Sequence, residues 1–203
     1  MAELYILTPP RIDDGFADTL AKTLDAGPVS ALQLRLKDHA IEDIRQLAPA
    51  LIKAAQSRGV AVIMNDDPAL AAELGCDGVH VGQADASQQD ARAAVGPKGV
   101  VGVTCHDSRH LAMVAGERGA DYVAFGSVYE TATKTPKSSA PLELFTWWRE
   151  LFEIPSVAIG GITPDNAAAV IEAGADYLAV SGGIWNWPDG PESACAAFSR
   201  LLD

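Results

Sequence analysis

Val60-Ala61-Val62-Ile63-Met64 is a run of five apolar residues without the polar and apolar alternation of a half-exposed strand. A strand that is apolar on both sides is typical of a parallel sheet, because helices cover both faces of such a sheet. Segments rich in Ala and Leu, with the spacing of amphipathic helices, precede and follow this run. The stretch therefore predicts parallel strands that alternate with helices.

The same alternation continues along all 203 residues. We predict eight strands that begin near Leu4, Ala31, Val60, Gly78, Gly99, Tyr122, Ser156 and Tyr177. Helical spacing predicts helices over Phe16 to Leu24, Ile41 to Ala55, Ala69 to Leu74, Gln88 to Val95, Leu111 to Arg118, Leu142 to Leu151, Asn166 to Ala173 and Ala194 to Leu202. Eight such units match the smallest TIM barrels. We expect an α/β fold, a (β/α)8 barrel of parallel strands, as a single domain over residues 1–203.

The charge of the chain restricts the classes of partner. The formal net charge is −12, and its long-range field argues against nucleic acid and anionic membranes. No apolar stretch approaches the roughly 20 residues of a membrane span. We expect phosphorylated small molecules as substrates, held by local cations, and the sequence leaves a homo-oligomer open. Three widely spaced cysteines and a start without the regions of a signal peptide favour a reduced, cytoplasmic location.

Three predicted strands run into small or hydroxyl-bearing residues. Thr131-Ala132-Thr133-Lys134 follows the strand that begins at Tyr122, and Val157-Ala158-Ile159 runs into Gly160-Gly161. Leu178-Ala179-Val180 runs into Ser181-Gly182 in the same way. Backbone N–H groups of small residues can approach a phosphate closely. Because strand ends meet at one face of a barrel, we expect a shared phosphate site there.

Long polar side chains follow the second predicted strand. Gln33, Arg35 and Lys37 are spaced two residues apart, which directs them to one side. Arg offers a planar fork and Lys a point charge to phosphate oxygens, and a Gln amide can read a heterocycle. The alternative is that Arg35 and Lys37 only lie on a solvated loop.

Carboxylates follow the third and fourth predicted strands, in Asn65-Asp66-Asp67 and Gly82-Gln83-Ala84-Asp85. Mg²⁺ prefers oxygen ligands and often joins one or two carboxylates to substrate phosphates. The alternative role for each is a helix N-cap. We interpret Asp67 as a cap, and Asp66 and Asp85 as metal ligands.

The fifth predicted strand ends with polar groups, since Thr104 offers a hydroxyl and His106 a proton or hydrogen bond. His80 lies inside the fourth predicted strand and is interpreted as a packed residue. Cys105 has no evident activating partner, so it is interpreted as a small buried or loop residue. Trp147-Trp148 is interpreted as helix packing.

Six motifs together have the order and spacing of one family: Gln33-x-Arg35-x-Lys37, Asn65-Asp66, Gly82-Gln83-x-Asp85, Gly102-Val103-Thr104-x-His106, Thr131-x-Thr133-Lys134 and Gly160-Gly161-Ile162. Over nearly its whole length the chain resembles the thiamine-phosphate synthase family. The resemblance implies a Mg²⁺-dependent TIM-barrel transferase. Its reaction would join 4-amino-2-methyl-5-(diphosphooxymethyl)pyrimidine to 4-methyl-5-(2-hydroxyethyl)thiazole phosphate, giving thiamine phosphate and diphosphate.

The resemblance also implies which residues form the site. The pyrimidine diphosphate would be bound by Gln33, Leu34, Arg35, Leu36, Lys37, Asn65, Thr104 and Lys134. The thiazole phosphate would be bound by Thr131, Ala132, Thr133, Gly161, Ser181 and Gly182. Asp66 and Asp85 would hold Mg²⁺. The catalytic residues would be Arg35, Lys37 and Lys134, which neutralise charge on the leaving diphosphate.

Two positions depart from the family pattern, because Thr104 and Gly182 stand where Ser is usual. Trp185 and Trp187 add bulk near the phosphate end. One alternative function is that of a thiazole tautomerase, an isomerase of the same superfamily that uses neither diphosphate nor metal. Another is a non-catalytic barrel that binds thiamine precursors. Gln33 and Asp85 favour the synthase, because an isomerase has no diphosphate to hold.

Overall fold

Parallel strands form a closed barrel in the computed structural model, which describes residues 2–130 and 139–202. The strands are β1 (Glu3–Leu7), β2 (Ala31–Leu34), β3 (Ala61–Asn65), β4 (Gly78–Val81), β5 (Val100–His106), β6 (Tyr122–Gly126), β7 (Ser156–Ile159) and β8 (Tyr177–Val180). The helices are α1 (Phe16–Asp25), α2 (Ile41–Gln56), α3 (Pro68–Leu74), α4 (Gln88–Val95), α5 (Arg109–Glu117), α6 (Glu143–Leu151), α7 (Ala167–Glu172), α8 (Gly182–Trp185) and α9 (Pro191–Leu202). Each strand pairs with the next, and β8 pairs with β1 from Tyr177 opposite Glu3 to Val180 opposite Ile6. The expected parallel (β/α)8 barrel is confirmed.

Strand side chains alternate between two layers. In β1, Leu4 and Ile6 pack between the barrel and the helices, whereas Tyr5 and Leu7 lie in a smaller cluster inside the barrel. The alternation arises because successive side chains of a strand point to opposite faces. The inner cluster consists of Tyr5, Leu7, Ile63, Tyr122, Ala124, Val157 and Ala179. A residue's position along its strand therefore decides whether it can reach the barrel interior.

The helices bury one face against the outside of the barrel. In α1 the buried residues are Phe16, Leu20, Thr23 and Leu24, which lie on one helical stripe. Trp148 of α6 is fully buried and stacks on Phe152 with ring centroids 4.1 Å apart, which confirms its interpretation as packing. Across the described part of the chain, no helix is both long and apolar enough to cross a membrane.

Aspartates join neighbouring strands at the N-terminal end of the barrel. One such residue directly precedes each of β4, β6 and β8, and accepts a hydrogen bond from a backbone N–H near the beginning of the preceding strand. The three bonds measure 2.7 Å each and join Asp77 to Val62, Asp121 to Val101, and Asp176 to Ser156. This end of the barrel is therefore stabilised by the residues that end the helix-to-strand turns.

The short helix α8 was not predicted, since Gly182 and Gly183 have low helix propensity. Tertiary contacts stabilise it instead. Trp185 donates from Nε1 to the carbonyl of Leu7 at 2.6 Å, and its ring lies 4.9 Å from that of Phe16. Trp185 therefore closes the end of β1 rather than standing in a loop.

Candidate active site

A cavity of about 560 Å³ opens at the C-terminal end of the barrel, within the usual size range of ligand sites. Its lining has two chemically different sides. The polar side, from β2 to β5 and the loops after them, consists of Gln33, Arg35, Lys37, Asn65, Asp66, His80, Gly82, Gln83, Asp85, Thr104 and His106. The glycine side, from β6 to α8, includes Gly126, Ser127, Glu130, Gly160, Gly161, Ser181, Gly182 and Gly183.

Arg35 supplies a fixed positive charge to the polar side. Its backbone N–H donates to Oγ1 of Thr8 at 2.8 Å, and Thr8 is fully buried after β1. Burial lowers the pKa of Arg35, while the charges of Asp66 and Asp38 raise it. An arginine side chain nevertheless stays protonated in proteins. The buried Thr8 hydroxyl thus holds the backbone that carries this cation.

The segment from 33 to 37 divides into two sets. Gln33, Arg35 and Lys37 line the cavity, whereas Leu34 and Leu36 are buried in the layer between barrel and helices. Alternate residues of an extended chain point to opposite faces, so the leucine side chains cannot reach the cavity. The side chains of Leu34 and Leu36 therefore lie away from the cavity, and the place of these two residues among those that bind the pyrimidine diphosphate stays a prediction.

The expected metal ligands lie together on the polar side. Asp66 Oδ2 lies 2.8 Å from the Lys37 ammonium, and Asp66 and Asp85 both line this side of the cavity. Burial raises the pKa of Asp66, but the ion pair with Lys37 opposes it, and the net effect lowers that pKa below its ordinary value. Asp85 also accepts a hydrogen bond from Gly82 N at 2.8 Å. Neighbouring carboxylates of this kind fit the oxygen preference of Mg²⁺.

Helix capping, the alternative role for these aspartates, applies to Asp67 but not to Asp85. Asp67 caps α3 by accepting a hydrogen bond from Leu70 N at 2.9 Å, as predicted. The N-cap of α4 is Ser87, which leaves Asp85 for the cavity. Asp66 has a φ of 68°, and His106, which also lines the cavity, has a φ of 56°. They are the non-glycine residues with positive φ among those described, and such outliers cluster at functional sites.

A hydrogen-bond network crosses the floor of the cavity. His80 is buried, with Nδ1 2.9 Å from the Tyr122 hydroxyl and Nε2 2.7 Å from Oγ1 of Thr104. The Tyr122 and Tyr5 hydroxyls lie 3.0 Å apart, and Gln33 Nε2 donates to Tyr5 at 2.9 Å. Burial lowers the pKa of His80 to about 4 against the opposing charge of Asp66, so the imidazole is neutral near pH 7. Gln33 and Thr104 are thus joined through buried groups.

On the glycine side, backbone segments approach one another so closely that a side chain at several glycine positions would overlap a neighbour. Gly160 and Gly161 have φ values of 107° and 66°, and a Cβ on Gly161 would overlap the carbonyl oxygen of Glu130. Gly182 and Gly183 begin α8 after Ser181, so their N–H groups have no acceptor within that helix. The expected phosphate-binding residues Gly161, Ser181 and Gly182 all line this side. Thr131, Ala132, Thr133 and Lys134 lie outside the described residues.

Sequence reasoning missed part of the polar side. His80 is buried in β4 as predicted, but its ring also lines the cavity and bonds to Thr104. Tyr5 and Tyr122 were not singled out, although their strand positions direct them into the barrel. The signal was the alternation of inward and outward residues, which was applied to Gln33, Arg35 and Lys37 alone.

Known proteins match the chain across this fold and cavity. A family model described as thiamine monophosphate synthase matches residues 4–184. A thiamine-phosphate synthase of Rhodospirillum centenum is 57% identical over 200 residues, which cover 98% of this chain and 97% of that protein. One of Hyphomonas neptunium is 48% identical over 206 residues, covering 98% and 93% respectively.

A solved structure agrees with these matches. The thiamine phosphate pyrophosphorylase of Pyrococcus furiosus superposes with a TM-score of 0.86 at 26% identity, covering 98% of this chain and 95% of that one. The family match begins in β1 and ends in α8, so it includes every strand of the barrel. The chain belongs to the thiamine monophosphate synthase family.

Proposed function

We propose that this transferase joins 4-amino-2-methyl-5-(diphosphooxymethyl)pyrimidine to the thiazole nitrogen of 4-methyl-5-(2-hydroxyethyl)thiazole phosphate. The products are thiamine phosphate and diphosphate. The observation that carries the proposal is the two-sided cavity. Its polar side has cations and carboxylates for a diphosphate, and its glycine side has backbone for a second phosphate. Two anion sites in one cavity suit the joining of two phosphorylated molecules.

The pyrimidine diphosphate lies on the polar side in this proposal. Gln33 reads the aminopyrimidine, while Arg35, Lys37, Asn65 and Thr104 bind the diphosphate. Lys134 joins them on the sequence pattern alone. Arg35 and Lys37 are well suited because a guanidinium and an ammonium make charge-assisted bonds to phosphate oxygens. The thiazole phosphate lies on the glycine side, with Gly161, Ser181 and Gly182, and with Thr131 to Thr133 from the sequence.

The reaction needs little proton transfer. The bond between the pyrimidine methylene carbon and the diphosphate oxygen breaks, and its electron pair leaves with the diphosphate. The aminopyrimidine stabilises the resulting cation, and the lone pair of the thiazole nitrogen forms the new carbon–nitrogen bond. Arg35 and Lys37 neutralise the charge that develops on the leaving group. Holding both substrates in one cavity supplies proximity and alignment.

Asp66 and Asp85 would hold Mg²⁺, since both carboxylates line the polar side of the cavity beside the proposed diphosphate position. When bound, the ion supplies further positive charge to the diphosphate oxygens. Within residues 2–130 and 139–202 no group of three or more His, Cys, Asp or Glu side chains forms a full protein cage. Two carboxylates suffice for Mg²⁺ in sites where substrate phosphates and water complete the shell.

The remaining proposals concern domain organisation, partners and cellular location. We propose that residues 1–203 act as one domain and that the partners are phosphorylated small molecules rather than nucleic acid or membrane. A cytoplasmic location fits the unpaired thiols of Cys76, Cys105 and Cys195.

The test is to supply purified protein with both substrates and Mg²⁺ and to measure thiamine phosphate. Parallel reactions contain EDTA, or lack one substrate. The proposal predicts product in the complete reaction alone. Isomerisation of a thiazole phosphate precursor without product would instead indicate a tautomerase. Tight binding of thiazole phosphate with no reaction of any kind would indicate a non-catalytic barrel.

A further inference from the structure

The buried network between Gln33 and Thr104 is continuous. Its four links measure 2.9, 3.0, 2.9 and 2.7 Å and pass through Tyr5, Tyr122 and His80. Tyr5, Tyr122 and His80 are 2%, 7% and 8% exposed, so bulk water does not replace these bonds. A satisfied network in a low-dielectric interior is rigid, and breaking one link leaves its neighbours unpaired.

Gly102 makes the network geometrically feasible. In the barrel register His80 of β4 lies opposite Gly102 of β5, which lies opposite Tyr122 of β6. A Cβ on Gly102 would overlap the Tyr122 ring. With no side chain between them, the imidazole and phenol rings stack with centroids 5.6 Å apart across the intervening strand. The sequence therefore leaves room for this contact at a position where a side chain would prevent it.

All hydrogen bonds of the network must be donated in the same direction. Fixing the donor at the Gln33 end or at the Thr104 end therefore fixes every other donor. Each tyrosine hydroxyl and the neutral imidazole carries one proton, so accepting on one side requires donating on the other. Gln33 donates through Nε2 to Tyr5, which then donates to Tyr122, which donates to Nδ1 of His80. His80 must then carry its proton on Nε2 and donate to Thr104. The Thr104 proton is thereby left to point toward a ligand.

This direction suits the proposed substrate at both ends. An exocyclic amine of an aminopyrimidine needs an acceptor, and Gln33 keeps its Oε1 for that purpose when Nε2 is bonded to Tyr5. A diphosphate only accepts hydrogen bonds, and Thr104 can donate to it when Nε2 of His80 supplies the bond to Oγ1. The opposite direction would offer an amide N–H to the amine and a hydroxyl lone pair to the anion.

We infer that Tyr5, Tyr122 and His80 are positioning residues that form a one-directional relay, which sets Gln33 to accept from the pyrimidine and Thr104 to donate to the diphosphate. The inference rests on the proposed function for the identity of the ligand. The direction of the relay is a property of the protein itself, so it can be measured without turnover.

The first test is kinetic and uses Tyr122→Phe and Tyr5→Phe, which remove a relay hydroxyl and keep the ring. The matched control is Tyr177→Phe, at the other end of the barrel. We expect each relay variant to lose roughly tenfold in kcat/KM for the pyrimidine diphosphate, the size of one net hydrogen bond. The KM for the thiazole phosphate and the activity of Tyr177→Phe should stay at wild-type values. Thermal unfolding of each variant checks that it is folded.

A double-mutant cycle distinguishes coupling through the relay from independent local effects of the two substitutions. Within the described part of the chain, Tyr5 and Thr104 share no hydrogen bond with each other and are joined through Tyr122 and His80. The relay predicts that Tyr5→Phe costs less in the Thr104→Val background than in the wild type, because the oriented Thr104 donor is already absent there and the effect on Gln33 alone remains. Additive losses would contradict the relay. Thr104→Ser should restore activity, since it keeps the hydroxyl.

The second test is spectroscopic and needs no substrate. Nitrogen NMR of histidine-labelled protein reports which ring nitrogen carries the proton, and the relay predicts the Nε2–H form for His80. Tyr122→Phe should change that signal to a mixture of both tautomers, whereas Tyr177→Phe should not. A Nδ1–H form in the wild type, or no change in Tyr122→Phe, would overturn the inference. Wild-type protein that makes no thiamine phosphate but has the Nε2–H form would instead count against the proposed function.

Discussion

The Lys37 ammonium lies 2.8 Å from Oδ2 of Asp66, so an anion-binding candidate after β2 and a metal-ligand candidate after β3 form an ion pair. Their side chains are 43% and 33% exposed. Exposed pairs contribute little to folding stability because water and salt screen them. We therefore attribute the contact to the cavity, where it places a cation and a carboxylate next to the expected diphosphate.

Asp66→Asn and Asp85→Asn should each reduce the Mg²⁺-dependent rate by roughly 100-fold or more, because metal charge on a leaving group is worth several kcal/mol. The measurement is the rate against Mg²⁺ concentration. The adjacent Asp67→Ala is the matched control, since Asp67 caps α3. That variant should lose about 1 kcal/mol of unfolding free energy and keep its rate. If all three variants had the same Mg²⁺-dependent rate, the assignment of Asp66 and Asp85 as metal ligands and of Asp67 as a helix cap would be wrong.

Gly161→Ala should raise the KM for the thiazole phosphate and leave that for the pyrimidine diphosphate unchanged. The added Cβ would overlap the Glu130 carbonyl and come within 2.8 Å of the Tyr129 Cβ, which displaces the glycine side. Gly119→Ala is the control, because Gly119 also has a positive φ, of 81°, but nothing lies within 4 Å of its added Cβ. Both variants carry a similar backbone strain of about 1 to 2 kcal/mol, because Ala must adopt a positive φ in each. An equal KM in both would contradict the assignment of Gly161.

Asp176→Ala should destabilise the barrel by about 1 to 3 kcal/mol, the cost of leaving a buried donor unpaired. Asp176 Oδ2 accepts hydrogen bonds from both the N–H and the hydroxyl of Ser156, which is fully buried. Because these bonds lie at the opposite end from the cavity, both KM values should be those of the wild type. Thermal unfolding provides the measurement, with the exposed Glu172→Ala as control. A wild-type melting temperature for Asp176→Ala would refute the role in strand joining.

The native thiols should react slowly with a thiol reagent at pH 8. Burial raises the pKa of Cys105 to about 12 and that of Cys195 to about 11, and burial together with the charge of Asp77 raises that of Cys76 to about 12. A raised pKa keeps the thiol protonated, and the thiolate is the reactive form. Reactivity should therefore increase only at strongly alkaline pH or on unfolding. A fast-reacting thiol whose modification stops turnover would show that a cysteine takes part in the chemistry.

Strand periodicity predicted much of the architecture. Each predicted strand begins within one residue of the observed start, as with Val60 for Ala61 and Gly99 for Val100. The reason is that buried parallel strands are apolar throughout and are bounded by glycine and aspartate. Helix α8 was missed because its stability comes from the contacts of Trp185 with Leu7 and Phe16, which lie at the far end of the sequence.

The polar side of the cavity was only partly predictable. Spacing of two residues correctly grouped Gln33, Arg35 and Lys37 along one side of the cavity. The network behind them depends on Tyr5 and Tyr122, which are 117 positions apart and meet only when the barrel closes. Its geometry also depends on Gly102, whose missing side chain has meaning only once His80 and Tyr122 are placed in register.

The measurement that tests the central claim most directly is the release of both products in one reaction. Purified protein receives the pyrimidine diphosphate, the thiazole phosphate and Mg²⁺, and diphosphate and thiamine phosphate are measured over the same time course. The two-sided cavity predicts that they form in equal amounts, only when both substrates and the metal are present. Diphosphate release without thiamine phosphate, or no release at all, would contradict the account.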